Sequence, residues 1–417
     1  MYFFDIDPRV AEAAQKAVEL CSDKLREIEQ IQEYHQTKMI KAFQNAGVRE
    51  SYFCGSTGYG YDDFGRDALD RVYAYVFDAE DALVRHNFVS GTHALTVALF
   101  GILRPGDTAL CVTGMPYDTI RSAIGLEGNY PGSLKDFGIN FEITDLKPDG
   151  TPDYEQIKKD IAEKKPKMVY IQRSRGYSTR PTLTYREIKK ICDISKAASR
   201  GSIIMLDNCY GEFTERVEPL SVGVDVMAGS LIKNPGGGIA PTGGYIAGRS
   251  DLVEMCSYRL TTPGTGKEIG ATLNTSRELF MGAYHAPHVT GEAMKTAVFA
   301  SALFEILGYE TSPKYNEDRG DIIQLIMLGN EENLIRFCAG VQSGSAVDSF
   351  VEPVPSDMPG YESQVIMAAG AFTLGSSIEL SADAPLREPY AVWLQGGLNF
   401  HAGKLGIMLA ADKVIKG

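Results

Sequence analysis

The sequence predicts an α/β fold with a mostly parallel central sheet and a smaller α+β unit at the carboxyl end. Three observations predict it. The chain has 417 residues, 44% of them hydrophobic, enough for a large core and two or three domains. Between residues 66 and 247 short apolar runs alternate with segments at helical spacing, the pattern of parallel strands covered by helices on both faces. From about His285 that alternation gives way to polar connections and isolated strand-like runs.

Taken in order, 8–45 carries apolar residues three and four apart among many charges, which predicts one long amphipathic helix. SYFCGSTGYGYDDFGR (51–66) has no periodicity and reads as an extended Tyr-rich loop. Helices are expected at 66–77, 92–103, 118–123, 154–163 and 185–198, and strands at 82–89, 108–112, 140–143, 168–172, 202–207 and 243–247. Beyond them come helices at 291–307 and 330–339, a Pro-rich loop at 352–360, strand-like runs QVIMAAGAFTL and SSIELSAD, and a closing helix in LGIMLAADKVI. This divides the chain into 1–50 (a helical approach segment), 51–290 (a large ligand-binding domain) and 291–417 (a small domain).

A formal net charge of -13 argues against duplex nucleic acid or an anionic membrane surface as partner and favours small-molecule chemistry. Seven cysteines without a C-x-x-C pair read as reduced thiols. MYFFDIDPRV lacks the basic start of a signal peptide, and no apolar run approaches membrane-spanning length, so a cytoplasmic protein is expected. His285-x-x-His288 has no nearby Cys or acidic ligand in sequence, and no metal is expected.

Three segments at predicted strand ends carry chemistry. In FVSGTHAL, Ser90-Gly91-Thr92 ends a strand and opens a helix, where free N–H groups and the helix dipole suit a phosphate. In SIIMLDNCY, Asp207 closes a buried run, a costly place for a carboxylate unless it meets a cation or a protonated ring nitrogen. In VDVMAGSLIKNPGGG, Lys233 follows Ser230 by three residues and precedes glycines that would let a ligand approach closely. A lysine of depressed pKa is the usual nucleophile toward a carbonyl cofactor. Each segment alone reads equally as a capped turn, a salt-bridged acid or a loop lysine; their order within one α/β domain fits the phosphate, ring nitrogen and aldehyde of pyridoxal 5'-phosphate.

With SGTHA, MPYDT, LDNCY and SLIKNPGGG, the whole chain resembles the fold-type I pyridoxal-phosphate enzymes. More closely it is similar to their cysteine/methionine-metabolism branch and its methionine gamma-lyase-like "aluminium resistance protein" family, related to cystathionine beta-lyases. The resemblance implies a pyridoxal-phosphate transferase-like fold and a carbon–sulfur lyase working by β- or γ-elimination. Aldol cleavage, transamination and a low-turnover stress or metal-resistance role stay open beside it.

Carried over residue by residue, Lys233 matches the Schiff-base lysine and later base, and Ser230 the hydroxyl on the phosphate. Ser90, Gly91 and Thr92 match the phosphate turn, Asp207 the partner of the ring nitrogen, and Tyr117 the stacking aromatic that can assist a leaving group. Tyr210 matches a contact to the ring hydroxyl. Tyr59 or Tyr61 matches a tyrosine reaching a neighbouring subunit's phosphate, which implies a homodimer or homotetramer with shared active sites. Arg66 is displaced from the usual spacing. Arg387 is the candidate clamp for the substrate carboxylate, although the usual R-x-S-x-G context is absent. Arg173 and Arg175, in a segment that is acidic in the lyase branch, hint at a more acidic substrate.

Overall fold

The computed structural model describes residues 3–128, 130–357 and 363–416. Seven strands build the larger sheet: β1 (Asp81–Arg85), β2 (Thr108–Cys111), β3 (Asn140–Ile143), β4 (Met168–Gln172), β5 (Ile203–Asp207), β6 (Val226–Ser230) and β7 (Gly244–Gly248). Their order is β1-β7-β6-β5-β4-β2-β3, with β7 antiparallel to both neighbours and the other pairs parallel. Because successive strand residues point to opposite faces, each strand feeds two cores. Leu110, Val169, Ile171, Ile204 and Leu206 pack on the face covered by the helices Phe64–Val76 and Tyr185–Ala198. Ala109, Met168, Tyr170, Met205 and Ala228 pack on the face covered by Gly91–Ile102 and Ser250–Leu260.

A second, antiparallel sheet holds β8 (Glu310–Ser312), β9 (Gln324–Met327), β10 (Val365–Ala369), β11 (Ser381–Pro385) and β12 (Ala391–Gln395), in the order β10-β11-β12-β9-β8. One face packs Ile326, Ile366, Ala382, Ala384, Val392 and Leu394 against the helices Ser276–Ile306, Glu331–Ser343 and Phe400–Lys416. On the other face Leu325, Ala391 and Trp393 pack with Tyr177 and Tyr210, and the rest borders the site described below.

Helix ends follow local chemistry. The Ser90 side chain accepts from the His93 N–H at 3.0 Å, and Thr184 with Glu187 forms a reciprocal capping box. The expected helix over 8–45 is two helices, Pro8–Leu20 and Ser22–Asn45, broken at Cys21. The break lets Val10, Ala13 and Ala17 join the small-sheet core while Met39 and Ala42 join the large one. The helix expected from Gly291 begins at Ser276; Pro287 inside it reads as a helix boundary in the sequence. β6 and the helix Ser250–Leu260 were not anticipated, because Ala228-Gly229-Ser230 carries little strand signal. Of the expected loop 352–360, residues 358–360 lie outside the described residues. Among the described residues no helix is long and apolar enough to cross a membrane.

His35, on the second helix, is buried and its Nε2 lies 2.6 Å from the Glu215 carbonyl oxygen. Burial lowers its pKa to about 4. Below pH 6.5 the unfolded chain takes up a proton that the folded chain refuses, so this group costs stability progressively as pH falls from about 6.5 to 4. Urea unfolding at each pH should show the advantage of wild type over His35→Gln shrinking by up to about 3 kcal/mol across that window.

Candidate active site

The site forms where the parallel strands end, at the carboxyl edge common to open α/β sheets. Asp207 is the last residue of β5 and Ser230 the last of β6, with Lys233 three residues beyond on the turn. The Ser90–Thr92 turn closes on them so tightly that a Cβ on Gly91 would stand 3.1 Å from the Ser230 Cβ and 3.3 Å from the Cys209 sulfur. A side chain there would have to displace its neighbours by a few tenths of an ångström, so glycine is favoured by approach rather than by φ.

The result is a cavity of about 320 Å³. Ser90, Gly91, Thr92, Tyr117, Asp207, Tyr210, Ser230 and Lys233 line it. The structure thus brings eight of the sequence-predicted residues to one space. The Ser230 Oγ is buried with no hydrogen-bond partner among the described residues. At the start of the helix Gly91–Ile102 the first-turn N–H groups are free of intrahelical partners, and Thr92 Oγ1 lies 2.7 Å from Thr119 Oγ1. Tyr117 is fixed by its backbone N–H donating to Gln172 Oε1 at 2.6 Å, and a Cβ on Gly176 would strike its ring at 2.9 Å.

Charge is concentrated below this space. Burial raises the pKa of Asp207, opposed by the Cys209 N–H, which donates to its Oδ1 at 3.1 Å, and by the nearby Lys233. For Lys233, burial alone would lower the amine, but Tyr210, Cys209 and Asp207 outweigh it and the pKa is raised. The expected depressed lysine is therefore not what this geometry gives: Tyr210, Cys209 and Asp207 face the ammonium and favour its charged form. Its Nζ sits 3.5 Å from the Tyr210 ring centroid, a cation–π contact. Tyr210 itself holds a left-handed φ of +72°, strained for a non-glycine, and its hydroxyl donates to Ser377 Oγ at 3.1 Å.

Other predicted residues lie elsewhere. Tyr59 and Tyr61 stack on each other with ring centroids 5.5 Å apart and are 70% and 64% exposed, outside this chain's own cavity. Arg66 is buried and bonds the Gly60 carbonyl. Arg173 lines neither cavity; it is 1% exposed, donates to Asn208 Oδ1 at 2.8 Å and pairs with Glu215 at 2.8 Å. It lies just past the end of β4, with its guanidinium turned to Asn208 and Glu215. Arg175 and Arg387 line a neighbouring cavity of about 380 Å³ that shares Tyr117, Gln172, Gly176 and Tyr177 with the first. The glycines after Lys233 do not open room for a ligand. A Cβ on Gly236 would overlap the Leu231 carbonyl, and one on Gly237 would stand 2.5 Å from the Gly282 carbonyl oxygen, so they seat the turn on the helix Ser276–Ile306.

Sequence reasoning missed Gln172, Ser381, Asp383 and Gln395, which also line the first cavity. Gln172 ends β4 and was within reach of the strand-end rule. The other three belong to the free face of the small sheet, fixed by antiparallel register that no local pattern reveals.

The sequence profile of methionine gamma-lyase matches residues 10–415. The chain belongs to the methionine gamma-lyase family. It is 46% identical over 392 residues to the uncharacterised protein YnbB of Bacillus subtilis (strain 168), covering 94% of this chain and 93% of YnbB. A Clostridium novyi NT structure described as a carbon-sulfur lyase involved in aluminium resistance superposes with TM-score 0.94 at 50% identity, covering 98% of this chain and 96% of that one. A Bacillus cereus protein structure superposes with TM-score 0.94 at 45% identity, covering 97% and 99%. The pyridoxal-5'-phosphate-dependent protein YhfS of Escherichia coli, at TM-score 0.62 and 17% identity over 92% and 97%, shares the fold.

Because the Ser230 Oγ has no partner within the fold, Ser230→Ala should leave the unfolding midpoint of the cofactor-free protein unchanged. It should weaken binding of pyridoxal 5'-phosphate about 10- to 100-fold, the loss of one hydrogen bond to a charged group, read by titration of tyrosine and tryptophan fluorescence.

Proposed function

We propose that the protein is a pyridoxal 5'-phosphate-dependent lyase that cleaves a carbon–sulfur bond of an amino acid by β- or γ-elimination. The observation that carries the reading is the gathering of Lys233, Asp207 and the Ser90–Thr92 helix start around one cavity, in a chain of the methionine gamma-lyase family. The residues fit the cofactor. The orphaned Ser230 Oγ and the free N–H groups of the Gly91 turn suit a phosphate, and the buried Asp207 carboxylate suits a protonated ring nitrogen. When bound, the cofactor supplies an electron sink for bonds broken at the α carbon of an amino acid.

In this reading Ser90, Gly91, Thr92 and Ser230 hold the phosphate, and Asp207 keeps the ring nitrogen protonated. Tyr117 covers the ring and Tyr210 hydrogen-bonds its hydroxyl. Lys233 would hold the cofactor at its aldehyde carbon, and its amine would move the α proton of the substrate; such general acid–base work contributes about 10²- to 10⁴-fold. Tyr117 gives a proton to the departing sulfur. Arg387, with Arg175 behind it, binds the α-carboxylate from the adjoining cavity by a charge-assisted contact. Tyr59 and Tyr61, exposed here, reach the phosphate of a second copy, so the working unit is a homodimer or a homotetramer. The described carbon–sulfur lyase of Clostridium novyi, similar over nearly the whole length, supports the reaction class.

Lys233→Ala protein mixed with pyridoxal 5'-phosphate should lack the visible absorbance of a lysine-bound cofactor and lose keto-acid release by at least about 10³-fold. Visible absorbance identical to wild type in that variant sinks the assignment of Lys233.

A further inference from the structure

The free face of the small sheet forms the wall of the first cavity opposite the strand ends. Register places Met367 opposite Asp383 and Ala369 opposite Ser381 across β10 and β11, and Ser381 opposite Gln395 across β11 and β12. Alternation sends Ala382, Ala384 and Leu394 into the core and leaves Ser381, Asp383 and Gln395 on the cavity side. This polar patch is made by three non-adjacent positions in one plane.

Its hydrogen-bonding capacity is weighted toward acceptors. An ionised carboxylate only accepts, so Gln395 must turn its amide nitrogen to Asp383, and Nε2 donates to Oδ2 at 2.9 Å. That leaves Gln395 Oε1 pointing away as a further acceptor. Tyr177 also hydrogen-bonds Asp383. The Ser381 Oγ is buried and has no partner among the described residues. Asp383 forms no ion pair among the described residues, and Lys233 is the only basic side chain among those described as lining this cavity. Burial pushes the Asp383 carboxyl up to about 6, so it is still mostly charged at neutral pH. A half-buried carboxylate beside an amide oxygen and a hydroxyl that can both accept, with the arginines confined to the next cavity, is matched by a group with several N–H donors and a positive charge.

We propose that Asp383, with Ser381 and Gln395, recognises a protonated amine at the far end of the substrate, so that the preferred substrate is an amino acid whose sulfur substituent carries an ammonium group. This deepens the lyase reading and rests on it for the placement of the substrate's α carbon at Lys233. Asp383 acts on specificity, not on the bond-breaking step.

S-(2-aminoethyl)-L-cysteine and S-propyl-L-cysteine differ only in an ammonium replacing a terminal methyl. Stopped-flow absorbance of the cofactor-loaded protein reads their binding before turnover. Wild type should bind the aminoethyl compound about 10- to 100-fold more tightly than the propyl compound. Asp383→Asn should bring the two affinities together while leaving the propyl compound unchanged, and Asp383→Glu should keep part of the preference. Equal affinities in wild type, a preference that survives Asp383→Asn, or no binding of the aminoethyl compound would overturn the proposal. Release of keto acid is measured separately: its absence from both compounds, with the binding preference intact, counts against the lyase reading and not against Asp383.

Discussion

Asp207 is a carboxylate held out of water at the end of a buried strand, within electrostatic reach of the Lys233 amine. Removing two such charges from water is costly unless something orders them, and the surrounding structure does so. β5 and β6 pair in register with Asp207 opposite Ala228, which puts the lysine turn directly beyond the acid. The glycines after Lys233 let that turn sit on the backbone of the long helix, and Asn234 Nδ2 donates to the Tyr210 and Glu212 carbonyls at 2.9 and 3.0 Å. Beneath lies a second buried acid. Glu212 accepts from the Tyr245 hydroxyl at 2.8 Å, and burial pushes its carboxyl up to about 8. The turn that carries the lysine is thus held by its neighbours, and the Lys233 Nζ itself rests on the Tyr210 ring.

Much of this was legible in the sequence because it depends on strand ends. A buried apolar run stopping at an acid, a Ser-Gly-Thr turn opening a helix, and a serine three residues before a lysine are local patterns with local causes. The strands 140–143 and 168–172 and the helix 185–198 stand where periodicity puts them for the same reason. What failed depends on partners distant in sequence. β6 is a strand because β5 and β7 flank it, not because Ala-Gly-Ser favours one. Arg173 suggests a substrate contact in the sequence, yet just past the end of β4 its side chain bonds Asn208 and Glu215, whereas Arg175, two residues on, does line a cavity. Asp383 sits in an unremarkable ADAP run and acquires meaning only from its register against Met367 and Trp393.

The two adjoining cavities divide the electrostatic work. The first is lined by the lysine, two acids and many hydroxyls, and the second carries Arg175 and Arg387 at the far side of Tyr117 and Gly176. An amino acid placed across their junction would direct its carboxylate one way and its side chain the other. Such an arrangement fixes the orientation of the bonds at the α carbon, and orientation is the part of catalysis that a protein scaffold contributes to a cofactor's chemistry.

The account stands or falls on the bond that is broken. Incubation of the cofactor-loaded protein with a panel of sulfur amino acids, followed by quantification of every product, tests it directly. Elimination gives keto acid, ammonia and thiol in equal amounts, and that is the predicted result. A keto acid formed without ammonia while a second keto acid gains the amino group, or turnover confined to β-hydroxy amino acids added to the panel, with glycine and an aldehyde as products, would contradict it.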